Sequence, residues 1–310
     1  TDIIRYDEVK NFEEIVWKEK SDYPVKEVVM PIQQTLFYYT EDEYKPSRNS
    51  AKSVLIFARP CDINAQHIQD EIYAGNGGYT DFYYERMRSL VTFAMMECNG
   101  GGDTCFCVSM GSNETEDYAL AVRFREDGAD VRVEDASFNT YFNDMPKGSY
   151  TPAFVKENEL KVTLPDLSDK QVRMELKKHP MWREFDKRCI SCGSCTVACS
   201  TCTCFSTRDL SYGDNPEAGE RRRVTASCQI EGFDQMAGQR EFRNNAGDRM
   251  RYKILHKFHD YKARFGKRNR CDGCGRGTHR CPELISISAT VSKVNDAVNE
   301  IKAEMAQQGR

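Results

Sequence analysis

The chain has 310 residues, 39% of them hydrophobic and 30% charged, with a formal net charge of −4. That length suits about two domains with buried cores, no apolar run approaches the ~20 residues of a membrane-spanning helix, and the charge balance gives no global case for nucleic-acid binding. Fourteen cysteines are many for such a chain and they are clustered. With no signal-peptide pattern at the start, they read as reduced thiols in a cytoplasm rather than as disulfides, although a chain that opens on Thr1 leaves targeting open.

Taken in order, Phe12–Lys20 reads as a short helix and Glu27–Thr40 as β-rich stretches around Pro31. The 44–53 segment, with Pro46 and several polar residues, reads as a loop. Val54–Ala58 is a continuous apolar run, as a strand buried on both faces would be. Arg59-Pro60-Cys61-Asp62 breaks it, and Ile63–Tyr73 continues with helical spacing, so strand, turn and helix make an α/β unit. A second strand, Leu90–Cys98, ends in a glycine-rich turn followed by Thr104-Cys105-Phe106-Cys107.

Cys61, Cys98, Cys105 and Cys107 thus stand at or just beyond the C-terminal ends of presumed neighbouring strands, where open α/β sheets place ligands. The expectation is a [4Fe–4S] site built from these four. The alternatives are small buried hydrophobes or a zinc ion. From Tyr118 to Leu164 the pattern alternates in three stretches, Ala119–Phe124, Asp130–Asp135 and Glu159–Leu164, which read as scaffold strands. Helices are expected at Lys170–Lys178 and Trp182–Lys187.

Cys189, Cys192, Cys195 and Cys199 have the C-x2-C-x2-C-x3-C spacing of a bacterial-type [4Fe–4S] run. Two residues between thiolates let a loop wrap three sulfurs around one cubane, and the fourth cysteine leads toward a second cluster. A zinc site would usually draw on two separated pairs. The stretch from Ser200 to Arg270 reads as mostly helical. Its 239–270 part carries eleven Lys/Arg against three acids, with Phe242, Tyr252, Phe258, Tyr261 and Phe265 at helix-like separations. Helices that bury aromatics, with cations near an anionic cluster, fit better than nucleic-acid binding.

The second run, Cys271-Asp-Gly-Cys274-Gly-Arg-Gly277-Thr-His-Arg-Cys281-Pro282, has Gly277 at the third ligand position. In two-cluster ferredoxins the fourth cysteine of each run ligates the other cluster. Cys189, Cys192, Cys195 and Cys281 then complete one cluster, while Cys199, Cys271 and Cys274 lack a ligand. Four outcomes stay open: a [3Fe–4S] centre, a non-protein ligand, recruitment of Cys202, Cys204 or Cys228, or loss of the cluster, with retention expected. Val291, Val294, Val298, Ile301 and Met305 share one face of a terminal helix. No dinucleotide fingerprint, P-loop or Ser/His/Asp set occurs. The five histidines read as surface or capping residues. The chain is expected to carry electrons without catalysing a reaction itself.

Together, Arg59-Pro-Cys-Asp, Thr104-Cys-Phe-Cys-Val-Ser-Met-Gly, the 189–204 run through Thr201-Cys-Thr-Cys-Phe205, and Cys271-Asp-Gly-Cys-Gly-Arg with Cys281-Pro-Glu resemble the family of anaerobic sulfite reductase A subunits. The β subunits of cytosolic NiFe (sulf)hydrogenases are similar in all four motifs. The resemblance covers essentially the whole chain. It implies an iron–sulfur subunit between a flavin subunit that oxidises NAD(P)H and a sirohaem subunit that reduces sulfite to sulfide, or a hydrogenase partner in the second case. From another class, a cysteine-rich zinc-binding interaction module is the alternative. The expected architecture is α+β, with an N-terminal α/β domain over residues 1–170 around a mixed sheet and a helical ferredoxin-like dicluster domain over 171–310.

Overall fold

Strands in the computed structural model, which describes residues 3–48 and 52–308, are β1 (Gln33–Tyr39), β2 (Tyr44–Pro46), β3 (Val54–Ala58), β4 (Val91–Met96), β5 (Leu120–Arg125), β6 (Gly128–Val133), β7 (Phe205–Tyr212) and β8 (Asn215–Thr225). Positions 49–51 of the expected 44–53 loop lie outside the described residues, and Tyr44–Pro46 is a short strand rather than loop. The strands form two sheets, ordered β2-β1-β8-β7 and β3-β4-β5-β6. In the second, β3, β4 and β5 run parallel and β6 returns antiparallel, so the sheet is mixed as expected.

Burial explains the strand pattern. Ile56, Ala58, Phe93 and Met95 form the core of the mixed sheet with Ile63 of the following helix, Pro60–Tyr73. Pro60 sits in the first turn of that helix, where its missing N–H costs nothing. Phe12–Glu14 is a single 3₁₀ turn, and Lys26–Val29 is helical ahead of β1.

Two compact units divide the chain, and neither is continuous. The first comprises Thr1–Gly102, Gly111–Glu157 and Ser200–Thr225; the second comprises Asp103–Met110, Asn158–Cys199 and Ala226–Arg310. A single cut near residue 170 does not follow this division, because β8 pairs antiparallel with β1 and brings residues 200–225 into the first unit. That hairpin corrects the expectation of a mostly helical 200–270 stretch. Most side chains of β7 are exposed, so the strand carries no apolar alternation to reveal it. Glu159–Leu164 is a second correction. It alternates like a strand but belongs to no sheet, and the chain bends at Glu159 and Leu160. Leu160, Val162 and Leu164 instead pack on a helical core.

That core belongs to the second unit. It is formed by Trp182, Phe185, Met250, Ile254 and Phe258 together with Val291, Val294, Val298 and Ile301 of the terminal helix Ile287–Gln307. The apolar positions expected of the tail are buried, and Met305 packs at their margin. Trp182 is fully buried, and its Nε1–H donates to the Leu176 carbonyl (2.8 Å). Among the described residues no helix is long and apolar enough to cross a membrane.

Candidate metal centres

The two cysteine runs fold alike. Gly193 (φ 80°) precedes the helical turn Ser194–Val197, and Gly275 (φ 75°) precedes Arg276–His279. The Thr196 amide donates to the Gly193 carbonyl (2.9 Å) and the Ala198 amide to Ser194 (2.9 Å); the Thr278 amide donates to Gly275 (3.1 Å) and the Arg280 amide to Arg276 (2.9 Å). Two residues earlier in each run, Ser191 (φ 57°) matches Gly273 (φ 68°) in the left-handed region. A serine there is strained relative to glycine. The buried Arg249 holds it by donating from Nη2 to Ser191 Oγ (2.9 Å).

Cys189, Cys192 and Cys195 of the first run line one cavity together with Cys281 of the second. Gln229, Met250, Ile285 and Ile287 complete much of its wall. The Ile285 amide donates to Cys281 Sγ (3.4 Å). Lys253 Nζ donates to the Cys195 carbonyl and to Thr196 Oγ1, both at 3.1 Å. Burial pushes the Cys195 thiol upward; Lys253 opposes this, while Cys228, Cys189 and Cys281 reinforce it.

Cys199 and Cys271 act electrostatically on one another, and Cys274 follows Cys271 by three positions. Lys257 Nζ donates to Cys199 Sγ at 3.0 Å. Burial pushes the Cys271 thiol up to about 12, opposed by Lys257 and reinforced by Asp272 and Cys199. Gly277 takes the place in its run that Cys195 takes in the other. A Cβ added there would meet the Cys195 carbonyl at 3.5 Å and Ile287 Cγ1 at 3.7 Å, which is ordinary contact. Lys253 and Lys257 stand on the helix Ala246–Leu255 and its π-helical continuation His256–Asp260. Such π segments recur at functional sites.

Charge tests which group fits. Arg249, Lys253, Lys257, Arg270 and Arg276 are all buried in the second unit, whereas Asp272 is the buried carboxylate there among the described residues. Burying a charge costs free energy unless an opposite charge offsets it. Four thiolates around a [4Fe–4S] core make an anionic group in both redox states, which suits this excess of cations. Among the described residues no three His, Cys, Asp or Glu side chains converge tightly enough for a single ion. Four cysteines instead surround a cavity.

The remaining expected residues separate between the units. Cys61 and Cys98 lie in the first, beyond the C-terminal ends of the adjacent parallel strands β3 and β4. Cys105 and Cys107 lie in the second. Cys202 and Cys204 belong to the first, where Lys26 Nζ donates to the Cys202 carbonyl (3.0 Å) and Gln69 Nε2 to that of Ser200 (2.8 Å). Cys228 is in the second unit, its sulfur 3.7 Å from Thr196 Oγ1. None of the fourteen cysteines is in a disulfide.

His179 caps a 3₁₀ turn by accepting from the Met181 amide, as expected. His256 departs from the surface-or-cap expectation. It stacks on Tyr252 and contacts Arg270, and burial with that cation pushes its pKa down to about 4. The sequence pointed to the basic 239–270 tract but not to the lysines that matter. The signal was available: Lys253 and Lys257 share the spacing of the buried Met250, Ile254, Phe258 and Tyr261.

A family model described as a 4Fe-4S dicluster domain matches residues 188–285. Sulfhydrogenase 2 subunit beta of Pyrococcus furiosus is 26% identical over 314 residues, covering 95% of this chain and 90% of that protein. No solved structure gives a significant match. The chain is a distant homologue of that subunit and carries an iron–sulfur electron-transfer domain built for two clusters.

Proposed function

We propose that the chain is the β-type electron-transfer subunit of a sulfhydrogenase-like complex, relaying single electrons between a flavin subunit that oxidises NAD(P)H and a catalytic subunit. One cluster is held by Cys189, Cys192, Cys195 and Cys281. The other is held by Cys199, Cys271 and Cys274 with a further ligand. The observation that carries this reading is the cavity lined by three cysteines of one run and the last cysteine of the other. That arrangement matches what the crossed ligation of two-cluster ferredoxins requires.

When bound, such clusters supply one-electron redox chemistry. The protein's own groups set its conditions. Lys257 and Lys253 place positive charge beside Cys199 Sγ and the Cys195 carbonyl. Met250, Ile285 and Ile287 form an apolar wall that limits water at the first site. Cys192 is exposed, and Ile190 and Leu284 beside the site are 60% and 80% exposed. These residues give the first centre an edge from which electrons can pass to a partner.

Anaerobic sulfite reductase is the second reading, supported by the four motifs named above; the overall similarity to a sulfhydrogenase subunit favours the first. A tagged chain isolated anaerobically from its native cells distinguishes them. Recovery with a flavin protein and a hydrogen-activating nickel subunit is the expected result. A sirohaem partner establishes the second reading, and a chain recovered with zinc and no redox partner contradicts both.

A further inference from the structure

The dicluster reading leaves the set Cys199, Cys271 and Cys274 one thiolate short, because Gly277 occupies the ordinary ligand position. Within the second unit three cysteines remain: Cys105, Cys107 and Cys228. Cys228 is on the side of the complete set. It acts electrostatically on Cys195 and contacts Thr196. Cys105 and Cys107 come from a short segment, Asp103–Met110, that belongs to the second unit although both neighbouring stretches of chain belong to the first.

That segment lies directly on the Cys271–Gly275 loop. The Phe106 amide donates to the Gly273 carbonyl (2.8 Å), and Cys105 Sγ is 3.4 Å from the Cys274 carbonyl oxygen. The approach is so close that a Cβ on Gly273 would stand 2.6 Å from the Phe106 carbonyl oxygen and 2.7 Å from the Cys107 backbone. One on Gly275 would stand 2.4 Å from the Thr104 carbonyl oxygen. Both glycines also have positive φ, so this seat admits no other residue without strain. Cys105 is buried, next to a ligand residue of the deficient set. The Cys107 sulfur instead meets Asn158 Oδ1 at 3.5 Å.

We infer that Cys105 is the fourth ligand of the cluster held by Cys199, Cys271 and Cys274, supplied from 166 positions before Cys271 in place of the missing cysteine at Gly277. On ligation the Cys105 thiol releases its proton to solvent and its sulfur binds iron as thiolate. This assignment rests on the two-cluster reading. It withdraws Cys105 from a separate four-thiol site with Cys61, Cys98 and Cys107.

The test uses the full chain purified anaerobically, with iron analysis and electron paramagnetic resonance of the oxidised protein. Wild type is expected to hold about eight irons, four per cubane, and to show no three-iron signal. Cys105→Ala is expected to lose about one iron per chain and to gain the spin-half signal of an oxidised three-iron cluster. Cys107→Ala is expected to match wild type. Because Gly277 has room for a Cβ, the double variant Cys105→Ala/Gly277→Cys is expected to restore the four-iron form. A Cys105→Ala protein that keeps all its iron, or a wild type that already shows the three-iron signal, overturns the assignment. So does a double variant that keeps the three-iron signal. An iron-free wild type overturns the dicluster reading as well, whereas an iron-replete wild type with an unaffected Cys105→Ala overturns the ligand assignment alone.

Discussion

Replacing Lys257 with methionine is expected to lower the midpoint potential of the proposed Cys199 cluster by on the order of 100 mV without loss of iron. The ammonium lies 3.0 Å from Cys199 Sγ, in a buried position. Reduction adds one negative charge to the group it faces, so the cation stabilises the reduced state more than the oxidised one. At about 6 Å from the centre of the group and an effective dielectric near 20, one charge contributes ~3 kcal/mol. For a one-electron couple, 59 mV corresponds to about 1.4 kcal/mol, which gives the stated shift. Methionine keeps the length and apolar body of the side chain, so packing against the helix is preserved. Lys253→Met is the internal comparison. Its ammonium serves the Cys195 carbonyl, and the larger shift then falls on the other cluster. Spectroscopic redox titration of both variants checks this. Unchanged potentials in Lys257→Met contradict the role given to the buried cations.

Removing iron with a chelator under anaerobic conditions is expected to unfold the second unit and to spare the sheets of the first. Arg249, Lys253, Lys257, Arg270 and Arg276 are buried with Asp272 as the buried carboxylate beside them among the described residues. An anionic group at the cysteines would offset part of the cost of burying these ions, which is of the order of several kcal/mol per ion, and removing it takes that offset away. A domain's whole stability is about 5–15 kcal/mol, so the second unit is expected to lose its fold. Hydrogen exchange reads the outcome by region. Protection is expected to vanish in Ala246–Leu255 and Ile287–Gln307 and to persist in β3, β4 and β5. Uniform loss across both units, or no loss, runs against this account.

Much of this was legible from the residues. The Val54–Ala58 strand and the tail helix follow from burial periodicity and are where their patterns place them, whereas the helix expected from Ile63 begins at Pro60 and takes in most of the expected turn. Ferredoxin spacing leads to the expectation that Cys281 joins Cys189, Cys192 and Cys195, and these four residues line one cavity. What escaped has physical causes. The β7–β8 hairpin escaped because its first strand is almost wholly exposed, so no alternation marks it. Glu159–Leu164 misled because alternation also arises where one side of a segment docks on helices. The seat of Cys105 on the Cys271–Gly275 loop was hidden by the sequence distance between them. Only the positive-φ glycines Gly273 and Gly275, pressed against residues 104–107, hinted that another backbone must pass there.

We propose two four-iron clusters with ligands exchanged between the runs. The most direct test of this proposal is low-temperature electron paramagnetic resonance of the reduced full chain, with iron quantified on the same sample. About eight irons per chain are expected, with signals of two four-iron clusters near enough to broaden one another. Cys281→Ala is expected to disturb the Cys189/Cys192/Cys195 centre while the one influenced by Lys257 persists. Zinc in place of iron, or a Cys281→Ala variant that loses the Lys257-sensitive cluster instead, would contradict it.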